Sequence, residues 1–138
     1  ADSLWDIECE LLVPAALGGV ITEAVAERVR SRVVVEAANG PTTIAAQSVL
    51  DRRGVVVVPD ILANAGGVTV SYFEWAQARQ GYPWDDSLVA ERLRQRMESA
   101  FTAVWARAET LGVGMRLAAH VVAIERVAAA HDARGLFP

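Results

Sequence analysis

Three short, continuous apolar runs organise the first half of the chain. They are Leu11 to Val13, Val33 to Val35 and Val55 to Val58, and they begin at equal intervals. That interval accommodates a strand, a crossover helix and the next parallel strand. Because the runs are rich in valine and do not alternate with polar residues, we expect strands that are covered on both faces.

The segments between these runs have the apolar spacing of helices. Residues 22–31 and 43–53 carry apolar side chains three or four positions apart. Thr22 and Thr43 are the predicted N-caps, and Gly54 is predicted to end the second helix in a left-handed conformation. The first half of the chain is therefore predicted to be a βαβαβ unit.

Past Trp75 the pattern changes to that of amphipathic helices. From Leu88 the apolar residues recur at spacings of three and four over about 25 residues, as in a helix that faces a core. A last helix is predicted from Met115 to about Ala133. The chain as a whole is predicted to be α/β, with a parallel sheet followed by helices.

Each predicted strand is followed by a loop of small and amide residues. The loops are residues 14–19, 36–41 and 59–67. Because the carboxyl ends of parallel strands meet at one edge of a sheet, we expect the three loops to form one surface. In the third loop a pair of glycines lets a ligand approach the backbone, and Asn64 offers an amide donor and acceptor. This loop is predicted to be a pocket wall.

Composition and charge narrow the class of protein. A chain of 138 residues with 53% hydrophobic content suits one domain with a core. The longest apolar runs are much shorter than the roughly 20 residues of a membrane-spanning helix. The net charge of −4, without a strong basic block, argues against nucleic acid as a partner. The lone Cys9 cannot form an internal disulfide, which suits a reducing compartment, and we expect a cytoplasmic location.

Several kinds of catalytic site are excluded by the residues present. All 13 basic residues are arginine, so no lysine is available as a Schiff base, general base or carboxylate clamp. The sequence contains no P-loop and no Cys/His ligand set, and we predict no metal site. Gly112 to Leu117 lacks the third glycine and the preceding strand of a dinucleotide fingerprint. We predict no catalytic residue. Because the chain begins at Ala1 rather than methionine, we expect a fragment or a processed product.

The polar residues of the loops also have purely structural interpretations. Asn39 and Asn64 could be turn residues in left-handed conformations, and the two glycines of the third loop could be a helix entry. Glu36, Asp60 and Glu74 could cap helices or pair with arginine. From the residues alone these alternatives stay open.

Three motifs, in this order and spacing, resemble the glutamate/leucine/phenylalanine/valine dehydrogenases. They are Pro14-Ala15-Ala16-Leu17, Glu36 to Thr43 and Pro59 to Trp75. The resemblance extends over essentially the whole chain and is nearest to the glutamate dehydrogenases, which use NAD or NADP to interconvert glutamate with 2-oxoglutarate and ammonia. It implies an α/β fold: the C-terminal half of a Rossmann-like nucleotide-binding domain, with three parallel strands in βαβαβ order, followed by amphipathic C-terminal helices.

The resemblance also implies a division of the chain and a set of site residues. Residues 1–80 would form the second half of the NAD(P)-binding domain, and residues 81–138 a helical segment that in the family packs against the substrate domain. The site residues beside the nicotinamide and its ribose would be Pro14, Ala15, Ala16 and Asn39. Asn64 would be an amide partner of the nicotinamide half.

Two further residues are implied to contact the substrate. Ser71 corresponds to the residue that hydrogen-bonds the distal carboxylate in glutamate-specific members, and Val68 to the apolar wall beside it. A buried hydroxyl at this position favours an acidic substrate, because a branched-chain substrate would leave it unpaired. From the residues alone, Ser71 could equally be a hydroxyl on a helix face. Gly18-Gly19-Val20 is more similar to the leucine dehydrogenase branch.

The predicted function follows from this resemblance. We expect a C-terminal fragment of an NAD(P)-dependent glutamate dehydrogenase-like oxidoreductase, inactive alone because the family's catalytic lysines and aspartate precede the matching region. Its expected partners are a small amino acid or 2-oxo acid and further copies in a homo-oligomer, which is a hexamer in the family, with no nucleic acid and no membrane. An alternative is a non-catalytic regulatory or assembly partner of a full-length amino-acid dehydrogenase. We expect the isolated chain to self-associate through surfaces that its missing half would cover.

Overall fold

The computed structural model describes residues 2–135. After a short 3-10 helix (Asp2–Asp6), the elements are β1 (Leu11–Leu12), α1 (Glu23–Ala26), β2 (Val33–Val35), α2 (Ile44–Arg52), β3 (Val56–Val58), α3 (Asp60–Ala63), α4 (Ala65–Gln80), α5 (Asp86–Leu111) and α6 (Met115–Arg134).

The three strands form a parallel sheet in the order β1-β2-β3. Val34 of the central strand lies opposite Leu12 on one side and Val57 on the other. The predicted α/β fold with three parallel strands is confirmed. β1 and β3 are each one residue shorter than the apolar runs that predicted them.

The continuous apolar runs led us to expect strands covered on both faces along their whole length. The structure shows less complete cover. Val34 and Val57 are buried, whereas Leu11 is 53% and Val56 37% exposed. The exposed positions are the first residues of β1 and β3, while the remaining strand residues are buried or partly buried.

Two cores lie on opposite faces of the sheet. Val57 belongs to the first and Val58 packs against the second, because successive residues of a strand point to opposite faces. The first core contains Ile21, Ala26, Val29, Val34, Ala46, Val49, Leu50, Val55 and Val57. The second contains Leu62, Val104, Met115, Ala118 and Ala119, and it packs α3, α5 and α6 together. α6 thereby lies against β3.

Helix α1 begins where predicted but is much shorter than the predicted segment. The Thr22 side chain accepts a hydrogen bond from the N–H of Val25, as an N-cap does. The helix ends after Ala26, and the Arg53 guanidinium donates to the carbonyl oxygens of Ala26 and Val29 (2.7 Å to Val29). The side chain of the C-cap residue of α2 thus satisfies carbonyls that a longer α1 would have bonded internally.

The third predicted loop is helical, and its description as a loop was wrong. Pro59, with φ −73° and ψ 154°, is the N-cap of α3, and Asn64 separates α3 from α4. Gly66 and Gly67 lie in the first turn of α4, so the alternative interpretation as a helix entry is correct for them. The ring of Pro59 fixes φ near its N-cap value, and Leu62 and Ala63, which have high helix propensity, follow in α3.

The second half is a pair of long helices folded back on each other. α5 has 26 residues and ends at Gly112, whose φ of 63° is left-handed. Gly114 then lies so close to α2 that a Cβ there would be 3.3 Å from Asp51 Oδ1. Among the residues that the structure describes, no helix combines the length and the apolar character needed to cross a membrane.

Candidate functional site

The three segments that follow the strands come together at the carboxyl edge of the sheet. The N–H of Ala38 donates to the carbonyl of Pro14 (2.8 Å), and the N–H of Gly19 donates to the carbonyl of Gly40 (2.8 Å). The first segment is thus bonded to the second at both of its ends. We call this surface the ligand edge, formed by residues 14–19, 36–41 and 60–71.

Asn39 and Asn64 meet directly at the ligand edge. The Asn64 Nδ2 group donates to Asn39 Oδ1 at 2.6 Å, across two segments 25 residues apart. Neither residue has a left-handed backbone: no described residue other than glycine has positive φ. The alternative interpretation of both residues as left-handed turn residues is therefore wrong. The left-handed positions beside them are Gly19 and Gly40, with φ of 68° and 54°.

The backbone of Gly18, in the first segment, lies close to the backbone of Asn39. A Cβ on Gly18 would be 3.0 Å from the carbonyl oxygen of Asn39, which real Cβ atoms scarcely tolerate. Pro14 is buried, whereas Ala15 and Ala16 are exposed on the same surface. The edge therefore presents a rim of small side chains next to a pair of amides.

Val68 and Ser71 lie one turn apart on α4, as the sequence predicted. Val68 is 70% exposed, and the Ser71 hydroxyl donates to the carbonyl of Gly67 at 3.2 Å. Ser71 is exposed, so our description of it as a buried hydroxyl was wrong for this chain. A hydroxyl that bonds its own helix keeps two lone pairs free to accept from a neighbour, and its hydrogen can rotate toward an anion.

An ion-pair cluster that the sequence did not predict joins two residues of the ligand edge, Glu36 and Asp60, to Arg116 of α6. The Arg116 guanidinium donates to Glu36 Oε1 (2.5 Å), Asp60 Oδ1 (3.3 Å) and Gln47 Oε1 (2.9 Å). The side chain of Glu36 is 0% exposed, and its Oε2 accepts from the N–H of Asp60 at 2.9 Å. We call Glu36, Asp60 and Arg116 the carboxylate cluster. Both open alternatives hold for these two acids: each pairs with Arg116, and each accepts a backbone N–H from the first turn of α3.

No local signal in the sequence could have identified Arg116 as the partner. The chain has 13 arginines, and the one that pairs with Glu36 lies 80 residues away. The continuous valines before Glu36 do predict a buried position, and a buried carboxylate requires a cation or several donors. Among the described residues no group of three or more His, Cys, Asp or Glu side chains is placed to hold a metal ion.

Asp60 connects the carboxylate cluster to the ligand edge. Partial burial of the carboxyl acts to raise its pKa, but hydrogen bonds from the N–H groups of Gly40 (2.7 Å) and Ile61 (2.9 Å) and the charge of Arg116 outweigh it. The pKa of Asp60 is therefore held below its usual value. The ionised form is the one that fits this site.

The depressed pKa makes a prediction about acid stability. A carboxylate with a lowered folded-state pKa stabilises the fold above its unfolded pKa, near 3.8, and this contribution is lost as the pH falls through the lower folded-state pKa. Asp60→Asn should therefore lose less stability than the wild type between pH 4 and pH 2. Urea unfolding at a series of pH values measures this, with Asp132→Asn on the exposed end of α6 as control; an unchanged acid slope in Asp60→Asn would contradict the role of Asp60.

Comparison with known protein families matches almost the whole chain. The family model described as glutamate/leucine/phenylalanine/valine dehydrogenase matches residues 1–135. An NAD-specific glutamate dehydrogenase from Staphylococcus aureus is 48% identical over 132 residues, which are 96% of this chain and 32% of the relative. A glutamate dehydrogenase from Thermotoga maritima is 51% identical over 137 residues, 99% of this chain and 33% of the relative.

Solved structures show the same relationship. The crystal structure of a hetero-hexameric glutamate dehydrogenase from Thermus thermophilus, in a leucine-bound form, superposes with a TM-score of 0.92 at 36% identity. The match covers 99% of this chain and 33% of the Thermus chain. The glutamate dehydrogenase from Peptoniphilus asaccharolyticus gives a TM-score of 0.86 at 43% identity, over 91% of this chain and 32% of that one. The chain spans about a third of the length of the curated relatives it matches.

Proposed function

Because the chain belongs to the glutamate/leucine/phenylalanine/valine dehydrogenase family, we propose that it is the C-terminal part of an NAD(P)-dependent glutamate dehydrogenase. The complete enzyme would deaminate L-glutamate oxidatively to 2-oxoglutarate and ammonia. Residues 1–80 would supply the second half of the NAD(P)-binding domain, and residues 81–138 a helical segment against the substrate domain. The observation that carries the proposal is the Asn39–Asn64 pair at the ligand edge.

The amide pair suits a nicotinamide carboxamide. With Asn64 Nδ2 bonded to Asn39 Oδ1, the groups left over are Asn64 Oδ1, an acceptor, and Asn39 Nδ2, a donor. Neither has a partner among the described residues, and a primary carboxamide offers the complementary carbonyl and N–H₂. The pair can therefore fix the orientation of the ring, and so which of its faces meets the substrate.

The small residues of the first segment suit the flat part of the cofactor. Ala15 and Ala16 are exposed and carry only a methyl group each, so a planar ring and its ribose can lie against the backbone there. The bound cofactor supplies the hydride acceptor at C4 of the nicotinamide. The chain's own contribution is to hold that ring at a fixed place and to exclude water on one side.

The substrate contacts would come from α4. Val68 would supply an apolar wall for the methylene groups of glutamate, and the Ser71 hydroxyl, one turn further on, would donate to the distal carboxylate. Proton transfer and carbonyl polarisation would come from lysine and aspartate of the rest of the enzyme, because this chain has no lysine. The chain alone would then bind ligands without turnover.

The role of the amide pair can be tested in the complete enzyme. Asn64→Ala should raise the KM for the nicotinamide cofactor about tenfold, since it removes one hydrogen bond to the ring and frees Asn39. Steady-state kinetics against cofactor concentration measure this. Gln95→Ala is the matched control, because that amide bonds Glu91 on the exposed face of α5. An unchanged cofactor KM in Asn64→Ala would remove the amide pair from the cofactor site.

A second candidate function is a non-catalytic regulatory or assembly partner of a full-length dehydrogenase. The observation that favours it is the high similarity to a chain of a hetero-hexameric glutamate dehydrogenase, an assembly that contains unlike subunits. Mixing the purified chain with a full-length dehydrogenase distinguishes this partner role from the proposed role as part of an enzyme. A stable complex with an altered rate would favour the partner role, whereas turnover by the purified chain with NADH, 2-oxoglutarate and ammonium would contradict both proposals for the isolated chain.

A further inference from the structure

The ligand edge depends on a contact between its second and third segments. Asp60 is the first residue of α3 and Asn64 is its C-cap, one turn further on, where the N–H of Asn64 donates to the carbonyl of Asp60 at 3.1 Å. The Asp60 carboxylate accepts a hydrogen bond from the N–H of Gly40, and the Asn64 side-chain amide donates to Asn39 Oδ1. The neighbouring residues Asn39 and Gly40 of the second segment are thus hydrogen-bonded to two residues of the third segment. Any rotation of α3 would break both hydrogen bonds together.

The position of Asp60 is set in turn by α6. Arg116 contacts Glu36 at the end of β2, Asp60 on α3 and Gln47 on α2, so a single guanidinium joins three elements. The planar fork of arginine offers donors in several fixed directions, which a lysine ammonium cannot reproduce. The side chain of Arg116 is 23% exposed, and the residue belongs to α6 rather than to the segments that form the ligand edge.

Without Arg116, the cluster would hold two carboxylates of like charge and no cation. Glu36 receives the N–H of Asp60, so the two acids are tied together through the backbone. Whether or not residue 36 carries a charge, Asp60 would also lose the guanidinium N–H that bonds its Oδ1, and with it a restraint on the residue that accepts the N–H of Gly40. The arginine therefore stabilises the arrangement that keeps Asn39 and Asn64 in contact.

We infer that Arg116 is a positioning residue for the nicotinamide cofactor: acting through Asp60 and Glu36, it fixes the Asn39–Asn64 pair from a helix that itself contributes nothing to the ligand edge. The inference rests on the proposed function for the identity of the ligand. The geometry it invokes, the coupling of α6 to the amide pair, can be measured in the chain without any ligand.

The test uses a charge-balanced double variant, Arg116→Gln with Glu36→Gln, which removes the guanidinium without leaving a buried unpaired charge. In the complete enzyme we expect the cofactor KM to rise about tenfold, while the KM for glutamate changes less than twofold. A role in stability alone would lower the amount of active enzyme, and hence the apparent kcat, with both KM values unchanged. Arg107→Gln with Glu125→Gln, which neutralises the ion pair between α5 and α6, is the matched control.

The second readout is the amide pair itself in the 138-residue chain. In ¹⁵N-resolved NMR spectra, the Gly40 N–H and the Asn64 side-chain amide should both shift in the double variant and stay in place in the control. If the double variant does not fold, Arg116→Lys keeps the charge and should shift the same signals, because one ammonium cannot hold three partners.

The outcomes separate the inference from the proposed function. A folded variant with unshifted Gly40 and Asn64 signals, or with an unchanged cofactor KM in an enzyme whose Asn64→Ala variant is impaired, overturns the positioning role. If Asn64→Ala leaves the cofactor KM unchanged, the proposed function fails instead, and the NMR signals alone then decide whether Arg116 positions the amide pair.

Discussion

Arg116→Gln is expected to lower the free energy of unfolding by about 3–5 kcal/mol, the typical effect of removing one partner from a buried ion pair. The Glu36 carboxylate is fully buried, and Arg116 is the cation that contacts it. Removing the cation leaves a charge that neither water nor another described side chain can compensate. A loss of this size is a large share of the 5–15 kcal/mol that stabilises a typical domain. Urea denaturation followed by circular dichroism measures it.

Two further variants make this prediction specific. Arg107→Gln breaks an ion pair of similar length whose partners are 35% and 51% exposed, and a surface pair contributes only about 0–1 kcal/mol. Adding Glu36→Gln to Arg116→Gln removes the stranded charge and should recover most of the loss. A double variant as unstable as the single one would show that packing of the arginine, rather than compensation of Glu36, accounts for the effect.

Ser71→Val in the complete enzyme is expected to lower kcat/KM for glutamate by about 10- to 100-fold, because a hydrogen bond to a charged group is worth about 1.5–3 kcal/mol. The use of an apolar amino acid should change by less than about threefold, since its side chain makes no bond to the hydroxyl. The measurement is a comparison of kcat/KM for the two substrates in the wild type and the variant.

Thr69→Val is the matched control for this prediction. Thr69 lies on the same helix, and its hydroxyl donates to the carbonyl of Ala65 at 2.8 Å, as Ser71 does to Gly67. The replacement removes a hydroxyl from α4 without touching the proposed substrate contact. Equal losses for glutamate and the apolar amino acid in Ser71→Val, or equal losses in Thr69→Val and Ser71→Val, would exclude Ser71 as a specificity residue.

The parts of the fold that local chemistry determines could be predicted from the sequence. Equally spaced valine runs gave the strands and their parallel order. Residues with special backbone or capping chemistry gave the ends of α2 and α5: Thr43 caps α2, Gly54 follows it with φ of 71°, and Gly112 ends α5. These signals can be read from the sequence because the residue that starts or ends the helix stands at that position in the chain.

The parts that distant residues determine could not be predicted. At the end of α1 the Arg53 guanidinium donates to the carbonyl oxygens of Ala26 and Val29, and nothing in residues 22–31 indicates that contact. Which of the 13 arginines pairs with Glu36 depends on which one the folded chain brings close to it, and the sequence does not indicate that it is Arg116. At the ligand edge, small residues predicted a binding surface, but the direct bond between Asn39 and Asn64 depends on how α3 is docked.

The 80-residue separation between Glu36 and Arg116 also has a consequence during protein synthesis. At a translation rate of about 5–20 residues per second, the acid emerges from the ribosome roughly 4–16 s before the base that neutralises it. Until then the first βαβαβ unit can form its sheet, but the Glu36 carboxylate lacks the Arg116 guanidinium and has to stay in contact with water. We therefore expect the ligand edge of the nascent unit to be incompletely packed. It should reach its final structure only after α6, which carries Arg116, has been synthesised.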